Sequence, residues 1–365
     1  MRNLGYSLIW KTGKILLSRA IIKKYNIKFQ GKIPKPPFLL IANHTHFLDA
    51  FFIMAVVDIP ITWVVATGTF HNKLLGPFLK TTKMISKQKG RPDVSTVKEI
   101  FRVLGDGGVV GIFPEGSVTW DGEFQSLPKG TEKLLEHVKT PIVATKVHGG
   151  YLTQPRWAEY GRKGRVEIHF NVLDSKDALS FLKESEWKWQ KKNMVKFLGK
   201  NKAKGMERIV WFCSKCGKYN TMVPKKESAY CLNCGFEMKV DDYGYINGQT
   251  VSEILRQQER LLTDYVNKNK HINLGKGTLK IRELISGKLL KVLKGNVSII
   301  EDFIRINEFP LYYSKIKGET TFLRRIFEFI YEDKVMRLLL DTHSLMLLKF
   351  FEKLRGGEIV FQYDR

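Results

Sequence analysis

The chain has 365 residues, room for a full enzyme domain with one or two small modules beside it. Its apolar share, 43%, is ordinary for a globular protein. No uncharged apolar run reaches the roughly eighteen residues of a membrane-spanning helix, so none is expected. The net charge of +25 is unevenly placed: residues 1–100 hold 16 Lys and Arg against 4 Asp and Glu, and residues 301–365 hold 11 of each. A field of this sign suits an anionic membrane face or phosphorylated substrates. Nucleic acid would use the same charge, but no RNA-binding signature or basic–aromatic repeat accompanies it, and no nucleic acid is expected. No apolar segment followed by a small-residue cleavage site opens the chain, so no secretory signal is expected.

In chain order, Asn3 to Ile22 reads as a mostly apolar helix interrupted by Lys11, Lys14 and Arg19 and followed by Lys23 and Lys24. Such a helix either lies in a membrane interface or packs on its own core. Gly31 to Pro37 is a Pro-rich link into an apolar strand, Phe38 to Ala42, and Phe47 to Val57 reads as a buried helix. Between them stands Asn43-His44-Thr45-His46-Phe47-Leu48-Asp49, on the strand-to-helix corner where an open α/β sheet places its chemistry. His44 leaves the strand end, and Asp49 falls in the first helical turn, where the helix dipole favours a carboxylate. A carboxylate bonded to one imidazole nitrogen fixes the tautomer and leaves the other nitrogen free to take a proton. The plainer reading is a buried His bonded to a nearby Asp, and His46 is read as mainly structural.

Ile61 to Ala66 reads as a second strand and Phe70 to Leu79 as a helix. Val94 to Leu104 is an amphipathic helix stopped by Gly105-Asp106-Gly107-Gly108. The apolar strand Val109 to Phe113 is closed by Pro114-Glu115-Gly116-Ser117, which sets Glu115 at a second strand end. Thr131 to Val138 is an amphipathic helix, and Pro141 to Val147 and Val166 to Val172 are further strands. Strands alternating with helices predict an α/β fold with a mostly parallel sheet flanked by helices.

The two polar corners, in this order and about seventy residues apart, resemble the glycerolipid acyltransferase family typified by 1-acylglycerol-3-phosphate acyltransferase. Asn43, His44 and Asp49 match its N-H-x-x-x-x-D block, and Phe113, Pro114, Glu115 and Gly116 its F-P-E-G block. Met84 to Arg91 resembles its basic block, with Lys87 where Arg is usual and Arg91 further on. Ser117-Val118-Thr119 stands where Thr-Arg-Ser is usual, and Ala144 replaces the second Pro of the last block. The resemblance covers roughly residues 30 to 175. It implies transfer of a fatty acyl group from acyl-CoA or acyl carrier protein to a hydroxyl of lysophosphatidic acid, with another lysophospholipid or a glycolipid as alternative acceptor. His44 would be general base and Asp49 its orienting partner. Glu115, Gly116 and Ser117 would bind the acceptor's glycerol portion, and Lys87, Arg91 and Lys129 its phosphate. A peripheral enzyme at the inner, cytoplasmic face of the membrane is implied. The competing class is a non-catalytic lipid- or nucleic-acid-binding protein on the same scaffold.

Asp174 to Lys204 reads as helical and Lys-rich, with Trp187 and Trp189 inside; it is either a solvated surface or a second membrane contact. Next come Cys213-x-x-Cys216 and, fourteen residues on, Cys231-x-x-Cys234, with Gly217 and Gly235 after the pairs. Two such knuckles make a closed four-thiolate site for a structural zinc ion. Gln249 to Asn267 is a predicted helix. Short β-rich stretches follow: Thr278 to Leu284, Leu289 to Leu293, Val297 to Ile300, Phe303 to Ile306, Phe322 to Tyr331 and Val335 to Leu340. A last helix, Ser344 to Leu354, gives the pattern of a small pleckstrin-homology-type barrel. The expected domains are therefore 1–30 (membrane-contacting helix), 31–205 (acyltransferase), 206–245 (zinc ribbon) and 246–365 (helix plus β-rich domain).

Overall fold

The computed structural model describes residues 18–66, 84–87, 94–128, 130–284 and 286–359. Arg91, Lys129, the predicted helix Phe70 to Leu79 and most of the predicted helix Asn3 to Ile22 lie outside the described residues; residues 18–25 are helical. Contacts divide the chain into two units, one of residues 1–156, 161–199 and 242–244, the other of 157–160, 200–241 and 245–365.

The first unit runs β1 (Lys28–Gln30), β2 (Phe38–Ala42), α1 (Asp49–Val56), β3 (Thr62–Ala66), β4 (Ile85–Lys87), α2 (Val94–Gly105), β5 (Val109–Ile112), α3 (Thr131–Glu136), β6 (Ile142–His148), α4 (Gly150–Thr153), β7 (Glu167–Leu173), α5 (Ser175–Leu182) and α6 (Glu186–Asn193). Its seven strands form one sheet in the order β1-β7-β6-β2-β5-β3-β4. Every neighbouring pair is parallel except β6–β7. A strand covered on both faces needs apolar side chains on both. In β2, Phe38, Leu40 and Ala42 join one core with Phe52 and Ile53 of α1, while Leu39 and Ile41 join the other with Ile100, Leu104 and Leu135. Because β2, β5, β3 and β4 are parallel, their C-terminal ends share one edge, and the polar corners lie there.

The stretch Asp174 to Lys204, expected as one solvated or membrane-facing helix, is instead two short helices and a non-helical tail. Asp174 caps α5 and Ser185 caps α6, each side chain taking a backbone N–H of the first turn. Trp187 and Trp189 are buried: their indole N–H groups donate to Asp121 O (2.6 Å) and Glu167 Oε2 (3.0 Å). Their place in the core excludes both expected surface roles for these rings.

The second unit holds β8 (Met222–Lys225), β9 (Ser228–Cys231) and β10 (Glu237–Lys239) in a three-stranded antiparallel sheet, then α7 (Val251–Lys268). Thr250 and Glu253 form a reciprocal capping box at the start of α7. Then come β11 (His271–Glu283), β12 (Leu289–Ile300), β13 (Phe303–Ile306), β14 (Phe309–Tyr312), β15 (Ile316–Phe322), β16 (Ile326–Tyr331), β17 (Lys334–Leu340) and α8 (Ser344–Arg355). Two antiparallel meanders, β11 to β14 and β15 to β17, join through β11–β17 pairing. Helix α8 packs on β15, β16 and β17, the strands-then-helix pattern expected of a pleckstrin-homology-type barrel, but the seven strands form an open half-barrel with β14 and β15 at its edges. Phe322 to Tyr331 is not one strand, however: Leu323, at φ +56°, turns the chain between β15 and β16.

Candidate active site

The corner between β2 and α1 is built around Asp49, which is fully buried at the first position of α1. Its Oδ2 accepts from Thr45 N (2.6 Å), His46 N (2.8 Å) and His44 Nδ1 (2.9 Å), and its Oδ1 from Thr45 Oγ1 (3.1 Å). With backbone donors already on Oδ2, the carboxylate is the acceptor, so Nδ1 carries the ring proton and Nε2 is left as the basic nitrogen. The His44 side chain keeps 19% of its surface exposed, enough for a substrate to reach. Its ring stacks on Phe113 (4.1 Å, 15°), which stacks on Trp63 (5.0 Å, 11°).

Four neighbours hold this corner. Asn43 grips β6 with both ends of its amide, donating to Val147 O (2.9 Å) and accepting from Val147 N (2.7 Å). Gly150 lies so close that a Cβ there would stand 2.3 Å from Thr45 Oγ1 and 3.3 Å from Asp49 Oδ1. Glu115, buried after β5, accepts from His44 N with Oε1 (2.6 Å) and from Gln125 N with Oε2 (2.7 Å). Thr119 N also donates to His44 O (2.9 Å). Burial pushes the Glu115 carboxyl up to about 8, against the two backbone donors, which favour its charged form.

The structure therefore brings together His44, Asp49 and Glu115, with Gly116 and Ser117 next in chain after Glu115. Both Glu115 oxygens are engaged by backbone N–H groups, which makes this side chain a brace between the His44 corner and the 113–130 loop. Ser117 Oγ accepts from Arg156 Nη1 (3.0 Å), which also donates to Val118 O (2.7 Å), while the guanidinium lies over Trp120 (4.4 Å). Burial lowers the Arg156 guanidinium to about 9. Sequence reasoning missed Arg156, Gln125 and Gly150, since no local pattern marks them; the Gly149-Gly150 pair was the available hint. His46 is buried, with Nδ1 accepting from Leu48 N (3.1 Å) and its ring stacked on Phe52, as its structural reading expects. Lys87 ends β4, three strand spacings or about 14 Å along the sheet from β2.

Comparison with known proteins bears on this corner directly: residues 24–147, which span β1 to β6, match the acyltransferase family. Residues 24–147 are an acyltransferase domain. The chain is 26% identical over 184 residues to the 1-acyl-sn-glycerol-3-phosphate acyltransferase of Bacillus subtilis, covering 47% of this chain and 88% of that protein. It is 27% identical over 145 residues to the enzyme of the same name from Saccharomyces cerevisiae, covering 38% of this chain and 48% of that one. The crystal structure of the 1-acyl-sn-glycerophosphate (LPA) acyltransferase PlsC from Thermotoga maritima is similar at TM-score 0.44 and 16% identity, over 52% of this chain and 82% of that chain. An acyltransferase needs a base for the acceptor hydroxyl, and the geometry around His44 Nε2 can supply one.

In the second unit, Cys213, Cys216, Cys231 and Cys234 are free thiols whose Sγ atoms all lie within 4.8 Å of one another. Cys213–Cys234 is 3.7 Å and Cys216–Cys231 is 3.8 Å. Thiolates about 2.3 Å from a tetrahedral zinc ion stand about 3.8 Å apart, so the donor set fits that metal. Gly217 (φ +67°) and Gly235 (φ +70°) follow the two pairs in the left-handed turn that each knuckle requires. Among the described residues no helix is long and apolar enough to cross a membrane.

Proposed function

We propose that this acyltransferase moves a fatty acyl group from a thioester, carried by CoA or acyl carrier protein, to the free hydroxyl of lysophosphatidic acid. The observation that carries the reading is the 2.9 Å His44 Nδ1–Asp49 Oδ2 contact, braced from below by Glu115 on the His44 backbone. His44 Nε2 takes the proton of the acceptor hydroxyl as its oxygen attacks the thioester carbonyl. Asp49 stabilises the imidazolium that forms. The C–S bond then breaks, and the imidazolium returns its proton to the leaving thiolate, so the chain forms no covalent intermediate. Gly116 and Ser117 contact the acceptor's glycerol portion, Glu115 holds that loop on the His44 corner, and Lys87 and Arg91 neutralise the phosphate.

The enzyme works as a peripheral protein at the inner, cytoplasmic face of the membrane, where its basic N-terminal hundred residues meet anionic lipid. The four cysteines hold a structural zinc ion that stabilises the ribbon and takes no part in acyl transfer. The test is a panel of lysolipid acceptors against acyl-CoA and acyl carrier protein donors, with products read by mass spectrometry. Phosphatidic acid as the main product is expected. No ester product from any pair would overturn the reading, and a product from a different lysolipid alone would replace the acceptor.

A further inference from the structure

A cavity of about 630 Å³ adjoins the Glu115 brace, lined by Phe124, Gln125, Leu127, Pro128, Lys133 and Lys183 among others. Gln125 ties it to the reacting corner: its N–H and that of His44 sit on the two oxygens of one carboxylate. Pro128, another lining residue, faces Gly116 at 3.7 Å from where a Cβ would stand. The cavity's place in the sheet follows from its helices. Helix α3, which carries Lys133, packs on α5, and α5, which Lys183 follows, packs on β6 and β7. Lys87 lies the other way, across β5 and β3 on β4. The His44 column thus has basic side chains on both flanks, Lys87 toward β4 and Lys133 with Lys183 toward β6.

Two substrates meet at His44, and each carries a phosphate. With the acceptor's phosphate on the Lys87 side, the geometry points to the β6-side cavity as the seat of the donor's phosphopantetheine arm. That arm is a slender chain with two amides and a dimethyl-substituted carbon, a thioester at one end and a phosphate at the other. Phe124, Leu127 and Pro128 match its methylene and methyl groups, and the two lysines its phosphate; the Gln125 side-chain oxygen accepts from its amide N–H groups, the Gln125 NH2 being held by Thr119, Asp121 and Glu123. Glu123, also on the wall, accepts a hydrogen bond from Ser185 Oγ (2.9 Å), and with Glu132 it balances the two lysines, so the phosphate is held by the ammonium groups themselves and not by a net positive wall. The inference rests on the proposed thioester chemistry, and the arm is common to CoA and acyl carrier protein.

The test compares wild type with the full-length double variant Lys133→Glu/Lys183→Glu, both sites being exposed, and with Leu127→Trp, which narrows the cavity and should raise donor KM in the same direction. Steady-state KM is measured for palmitoyl-CoA, palmitoyl-acyl carrier protein, the palmitoyl thioester of N-acetylcysteamine, which lacks the phosphate, and lysophosphatidate. The double variant should raise KM at least tenfold for a phosphopantetheine donor and leave KM for N-acetylcysteamine thioester and lysophosphatidate within twofold. A rise confined to CoA or to acyl carrier protein supports the site and names its source. Unchanged donor KM, or a rise in lysophosphatidate KM instead, overturns it. Titration calorimetry of wild type with free 4′-phosphopantetheine covers misfolded variants or an inactive enzyme: no binding overturns the site, whereas absence of turnover with binding intact indicts the reaction alone.

Discussion

Replacing Asp49 by Asn isolates the charge on the carboxylate from the geometry it maintains. Oδ2 takes three donors, while Oδ1 takes one hydroxyl, that of Thr45. An Asn at this position sets its oxygen where Oδ2 stands and its NH2 where Oδ1 stands, and the Thr45 hydroxyl turns to accept instead of donate. His44 then keeps its Nδ1 bond and its tautomer, and what is lost is the Coulomb stabilisation of the imidazolium. Charges about 4 Å apart at an effective dielectric of about 20 interact by about 4 kcal/mol, or roughly a thousandfold in rate. Asp49→Asn should therefore lower kcat by about 10³ with KM for both substrates near wild type and the melting temperature within a few degrees. The assay is steady-state transfer to lysophosphatidate alongside thermal unfolding. A loss under tenfold in folded protein would refute the role given to the charge. Thr45→Val in the same background removes the acceptor that the new NH2 needs, and should cost the double variant stability beyond the sum of the singles.

Glu115→Gln should flatten the pH dependence of stability. The folded carboxyl titrates near 8 against an ordinary 4.5, so the folded state holds one more proton between those values, and stability falls as pH rises through that window. The slope approaches about 1.4 kcal/mol per pH unit, and urea unfolding at pH 5, 6.5 and 8 should show it in wild type only. Gly150→Ala should cost about a hundredfold in kcat because the new Cβ must displace Thr45 Oγ1; Thr45→Ala in the same chain should recover part of it, as the kinetics of the three variants would show. Freshly purified protein should contain about one zinc per chain by atomic absorption. Chelation or Cys216→Ser should melt the ribbon, since structural zinc contributes on the order of 10 kcal/mol to folds of this size; an intact ribbon without metal would contradict this.

What was legible in the sequence was mainly what repeats at short range. The unbroken apolar run Phe38 to Ala42 marks a strand buried on both faces, and the polar residues after it fall at its C-terminal end, where the structure finds them. The cysteine pairs are equally local, each closed by a turn that its own glycine permits. The misses are contacts that spacing does not encode. Asn43 answers to Val147, Glu115 to Gln125 and His44, and Arg156 to Ser117, pairs set by sheet order. Two element errors have local causes. The serine cap at Ser185 restarts a helix that Lys-rich composition makes look continuous, and Leu323 adopts a left-handed turn that no Gly or Asn announces.

The basic nitrogen of His44 is the centre of the mechanism, and His44→Ala tests it most directly. Measured as phosphatidic acid formed per folded enzyme at saturating substrates, the rate should fall about 10³-fold or more, within the range that loss of a general base produces. A folded His44→Ala protein that turns over within tenfold of wild type would contradict it.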